Sequence, residues 1–121
     1  MDKRIFRVDY HWDNENQVYI IESRNIDEEI VFTDTVKWVP RKDFDKIIDE
    51  ALKEVKQTMK TLEMLDSRGI WLKGSRERIV RTVRKDTVTG RYFVVWYGSL
   101  IEVKYGQRGG GWIDYTTVEE Y

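Results

Sequence analysis

The 121-residue chain has no cysteine, one proline and one histidine. Without cysteine there is no disulfide, no thiolate nucleophile and no Cys-ligated zinc, and the composition agrees with a reducing compartment. His11 alone could serve a His-dependent dyad or triad, and its place on the polar side of a first strand reads most simply as a solvated residue. The acidic pairs Glu28-Glu29 and Glu119-Glu120 fall in a turn and near the chain end, and no metal-ligand spacing occurs. No run approaches the roughly 18 apolar residues of a membrane span, and Met1-Asp2-Lys3-Arg4-Ile5-Phe6 lacks the apolar stretch of a signal peptide. These absences lead to the expectation of a soluble, cytoplasmic protein with no cofactor, metal or catalytic residue, which binds a partner instead of transforming one. The length is that of one domain, with a charged junction at 66–78 dividing possible subdomains 1–66 and 67–121.

Five Trp, seven Tyr and four Phe supply bulk for a core from few positions. The net charge of −1 conceals an asymmetry, because residues 1–66 hold 11 Lys/Arg against 16 Asp/Glu and residues 67–121 hold 10 against 6. Between 67 and 91, Arg68, Lys73, Arg76, Arg78, Arg81, Arg84, Lys85 and Arg91 face only Glu77 and Asp86. Such a strip favours an anionic partner, or else forms a solvated edge strand that resists aggregation.

Phe6, Val8, Tyr10 and Trp12 alternate with Arg7, Asp9 and His11, which predicts a half-buried strand. Asp13-Asn14-Glu15-Asn16 turns the chain into a hairpin partner, Val18 to Ser23, and a turn at 25–29 leads to a third strand from Ile30. After Pro40, Phe44, Ile47, Ile48, Ala51, Leu52, Val55, Met59 and Leu62 recur at helical spacing, predicting one long amphipathic helix from about Asp43 to Leu65 with a stop at Asp66-Ser67-Arg68-Gly69. A helix of that length overshoots a three-stranded sheet, which points to a homo-oligomer. From Arg78 the period returns to two, with strands at 79–85, 91–97, 100–104 and 112–117 joined by turns at 86–90 and 97–99 and a glycine-rich loop at 106–111. The fold class is therefore α+β: an N-terminal three-stranded antiparallel sheet with one long amphipathic helix, followed by a C-terminal antiparallel β-meander.

The run from Phe6 to Asp13, its acidic turn, the strand Val18 to Ser23 and the helix after Thr33-Asp34-Thr35 resemble the N-terminal half of HicB-like antitoxins over about half the chain. That resemblance implies an interaction module that neutralises a small basic partner, although the DNA-binding helices frequent in that family have no counterpart here. Trp71 behind the predicted helix, the basic strip that follows it, and the loop Tyr105-Gly106-Gln107-Arg108-Gly109-Gly110-Gly111-Trp112 resemble the phage anti-Thoeris sponge proteins. This second resemblance implies a viral anti-defence protein, a small oligomer in the host cytoplasm that sequesters a cyclic nucleotide immune signal.

The residues themselves offer a matching set. Glycines at 106 and 109–111 let backbone approach a phosphate, Arg108 can contact it bidentately, and Tyr105 and Trp112 flank the loop. No Lys-Ser/Thr follows, so this is not a P-loop, and a plain hairpin loop remains the alternative. Trp71 either stacks on a base or belongs to the core. The ligand-binding set is thus Arg108, Gly109, Gly110, Trp71, Arg76, Arg78, Tyr105 and Trp112, directed at a small anionic nucleotide. Nucleic acid is not expected as a partner, since the chain is slightly acidic and no recognition helix is evident.

Overall fold

A computed structural model of the chain describes residues 2–75, 77–108 and 112–120, with backbone alone at 107, 108, 112, 113 and 120. The protein is α+β and divides into two units, Met1–Thr58 and Met59–Tyr121. No helix among the described residues is long and apolar enough to cross a membrane.

In the first unit, β1 (Arg7–Asp13), β2 (Val18–Arg24) and β3 (Ile30–Lys37) form an antiparallel sheet in the order β1-β2-β3. The register sets Tyr10 against Ile21 and Trp12 against Tyr19, so the predicted aromatic face of β1 continues across β2. The helix α1 (Arg41–Met59) lies against this face: the Phe44 ring sits 5.0 Å from that of Tyr10 and 4.3 Å from that of Tyr19. Phe44 and Val55, three turns apart on one stripe, are buried. The opposite sheet face is charged. Arg7 stands directly across from Arg24, and Asp9 from Glu22. Like charges so placed repel, yet the closest ion pairs are of opposite sign: Arg24 reaches Asp9 diagonally at 3.2 Å, and Arg7 reaches Asp9 along its own strand at 3.0 Å.

The loops of this sheet are held by side chains. Asp13 Oδ1 accepts the Glu15 amide and its Oδ2 accepts Asn16 Nδ2, an arrangement that holds the carboxyl below its ordinary value chiefly through the Asn16 side chain. Buried Asn25 accepts the amides of Asp27 and Glu29 with its Oδ1, both at 3.0 Å.

The helix ends earlier than its periodicity predicts. Leu62 and Leu65 continue the helical spacing, but Leu62 is in a turn and Leu65 lies on β4 (Glu63–Lys73), a strand absent from the sequence-based expectation. Pairing decides this: Glu63 and Met64 stand opposite Lys85 and Arg84 of β5 (Arg78–Lys85), and Leu65 packs on a core that a continued helix would leave bare. Ser67-Arg68-Gly69, expected as a helix stop, therefore lies mid-strand.

With β6 (Tyr92–Trp96), β7 (Ser99–Arg108) and β8 (Trp112–Glu120), these strands close a five-stranded barrel. Each strand reverses the last, so with an odd number the first and fifth run the same way; β4 and β8 must close in parallel, and they do. Inside lie Ile70, Val83, Val94, Ile101, Val103 and Tyr115, each burial contributing about 1.5–3 kcal/mol for the aliphatic chains. The loop expected at 106–111 is shorter, because Gly106, Gln107 and Arg108 pair with Asp114, Ile113 and Trp112, and only 109–111 join the strands.

Between Trp96 and Ser99 the chain turns on Tyr97 and Gly98, whose φ angles are 49° and 79°. Two consecutive positive values define the type I′ turn that suits the twist of a two-residue hairpin. Gly98→Val is expected to destabilise the barrel by about 1–3 kcal/mol in urea unfolding, since a β-branched residue is strained there. Tyr97→Asn should raise stability, as Asn tolerates this region better and Tyr97 is 86% exposed. A Gly98→Val variant as stable as the parent would show that the turn is made some other way.

Candidate functional site

Two clusters emerge in the barrel unit, on different faces of its wall. The first centres on Asp114, a buried carboxylate on β8. Arg78 Nε and Nη2 reach its two oxygens at 3.3 and 3.2 Å, and Trp71 Nε1 donates to Oδ2 at 3.0 Å. The Arg78 guanidinium foremost, with help from the Trp71 indole, holds the Asp114 carboxyl below its ordinary value against the opposing effect of burial. Gly69 is the seat of this arrangement, since a Cβ there would collide with the Arg78 guanidinium. Nearby, the hydroxyl of buried Thr117 accepts the Lys73 amide at 2.7 Å where the β4–β8 register shifts.

The second cluster is the mouth of the barrel. A cavity of about 360 Å³ is lined by Met64, Leu65, Asp66, Arg68, Val83 and Tyr115. The Tyr115 ring lies 5.7 Å from that of Tyr92 and 5.3 Å from that of Tyr105. Burial, reinforced by Tyr92, pushes the Tyr115 hydroxyl up, so it stays protonated and available as a hydrogen-bond donor at neutral pH. Arg68 donates to the Ser67 carbonyl and lies 3.6 Å from the exposed Asp66, a loose pairing that leaves most of its fork accessible.

The residues expected to converge on one ligand are distributed between these places. Trp71 and Arg78 do meet, but on Asp114, so the cation already has its counter-ion and the indole N–H its acceptor. Trp71 is half-buried, which reconciles the core and surface readings. Tyr105, 58% exposed, packs its ring against that of Tyr115, which lines the cavity. Arg108 and Trp112 stand opposite each other at the end of the β7–β8 ladder. Arg76, Gly109 and Gly110 lie outside the described residues. Other members of the basic strip are also spoken for: Arg91 forms a bidentate pair with Glu102 at 2.8 and 2.9 Å, Arg81 lies over Trp96, and Lys85 over Tyr92.

Sequence reasoning missed Asp114 and Tyr115. One signal was present, a lone carboxylate within the apolar run Trp112-Ile113-Asp114-Tyr115, which in a strand must find a partner or face water. Neither a family model, nor a curated protein, nor a solved structure matches the chain.

Asp114 generates a prediction with a definite sign. Its folded-state carboxyl titrates lower than the unfolded one, so its stabilisation is present above the unfolded value, about 3.9, and is lost as pH falls through the folded value. Asp114→Asn should cost about 1.5–3 kcal/mol at pH 7 and flatten the acid limb of the stability profile. Urea unfolding at pH 7 and pH 3 checks this, and an unchanged profile in the variant would remove Asp114 from the account.

Proposed function

We propose that the protein is a non-catalytic binding protein that sequesters a phosphate-bearing cyclic nucleotide, with the mouth of the barrel as its receptor. The observation that carries this reading is the grouping of Arg68 and Asp66 with an apolar and phenolic wall around one cavity. Ligand sites favour concave, largely apolar walls with a few convergent polar groups, and cavities of about 300–1,000 Å³ are typical. Arg68 supplies a planar, always charged fork for a phosphate. Asp66 can accept sugar hydroxyls, and Tyr105, Tyr92 and Tyr115 offer aromatic surface and hydroxyl donors to a base.

The antitoxin-like reading, in which the acidic first unit docks on a small basic partner, has less to recommend it. On the charged face of its sheet, Asp9 and Glu22 are already matched by Arg7 and Arg24, and Arg7 also holds Glu28 of the turn before β3. A basic partner would have to displace cations already in place.

Calorimetric titration with cyclic ADP-ribose isomers and cyclic oligonucleotides tests the proposal. Wild-type protein should bind one of these and release it chemically unchanged on heating. Arg68→Ala should weaken binding about 10- to 150-fold, the equivalent of 1.5–3 kcal/mol for a charge-assisted hydrogen bond, while leaving the melting temperature of the free protein near that of the parent. Arg108→Ala, measured alongside, distinguishes the hairpin end from the mouth. Absence of binding by the wild type, an unchanged Arg68→Ala affinity, or recovery of a hydrolysed product would each refute the reading.

A further inference from the structure

The two edges of the N-terminal sheet are built differently. β1 carries Arg7, Asp9, His11 and Asp13, the dense charge by which natural edge strands avoid pairing with other chains. β3 carries only Asp34 and Lys37 among eight residues, the rest being Ile30, Val31, Phe32, Thr33, Thr35 and Val36, all of high strand propensity. β3 is exposed along almost its whole length, and no residue of β2 or any other described strand pairs with its outer edge. Phe32 is 61% exposed, and Trp38, just past the strand end, is 65% exposed. An apolar edge of this kind is a site for strand addition.

We infer that the occupant of this edge is a second copy of the chain, its β3 antiparallel to the first across a two-fold axis, joining two three-stranded sheets into one of six strands. The edge is self-complementary in one register. In such a pair, directly opposed residues share a face, so the axis must pass through a residue position. An axis at Asp34 would set two carboxylates against each other, and one at Thr33 would bury Phe32 against Asp34. An axis at Thr35 sets Phe32 opposite Trp38 of the second copy, Asp34 opposite Val36 and Thr33 opposite Lys37, with no like charges opposed. This register lies in the regular part of β3, since the irregularity against β2 is confined to its first residues. Each strand brings one acid and one base, so the seam is neutral. Four mostly exposed rings would cover on the order of 500 Å². With the strand side chains added, the interface comes to about 1,000 Å², the low end for a specific complex. An interface of this size belongs with weak, reversible assemblies, and the inference does not rest on the ligand proposed above.

Sedimentation velocity of the full chain over about 1–200 μM should show a monomer–dimer equilibrium. Phe32→Lys, which changes an exposed side chain, should give a monomer with unaltered circular dichroism. The native chain has no cysteine, so Thr35→Cys provides a unique probe: thiols meeting on the axis lie within disulfide reach and should cross-link under mild oxidation. Val88→Cys, on an 83% exposed loop residue of the second unit, is the control. A wild type monomeric throughout the range, a dimeric Phe32→Lys variant, or Thr35→Cys cross-linking no faster than Val88→Cys would each overturn the inference.

Discussion

One carboxylate holds the barrel wall together where the strand count leaves it weakest. Five alternating strands can close only through a parallel seam, and parallel pairing of β4 with β8 is both slanted and, here, interrupted by a register shift. Asp114 spans that seam: from β8 it binds Trp71 on β4 and Arg78 on β5, so three strands converge on two oxygens. Everything around it follows from giving that carboxylate its partners. Gly69 must lack a side chain for Arg78 to cross the strand, and Arg78 is thereby withdrawn from the pool of cations free to meet an anion.

How much of this was legible in the sequence depends on the range of the interaction involved. The aromatic face of β1, its hairpin with β2, the Tyr97-Gly98 turn and the start of the helix after Pro40 are all encoded within a few residues, and each was read from local pattern. The end of the helix was not, because Leu62 and Leu65 suit a helix as well as a strand, and the choice lies with Lys85 and Arg84, some twenty positions away in sequence. The candidate site was harder still. Trp71 and Arg78 were singled out as members of a ligand-binding set, but the partner that engages them lies 43 and 36 positions on. Arg68 was noticed only as one charge in a strip, since its place at a cavity follows from the curvature of the closed sheet.

The charged face of the first sheet teaches a related lesson about counting charges. Tallied by segment, the N-terminal half is acidic and suggests an open docking surface. Laid out on the sheet, Asp9 and Glu22 sit beside Arg7 and Arg24, so this face contributes little to the surplus of 16 acids over 11 bases. The sparsely charged edge of β3 is the more distinctive surface, although a net-charge argument would pass over it.

The parallel seam also sets the order in which the barrel can be completed. Its contacts join residues more than forty positions apart, whereas the βββα unit and the successive hairpins of the meander close over short loops. On a growing chain, β8 is the last of the strands to be made, so β4 must wait with its backbone edge unpaired while β5, β6 and β7 fold onto one another. The stretch of β4 from Ile70 to Lys73 is thus an open edge until β8 has been made.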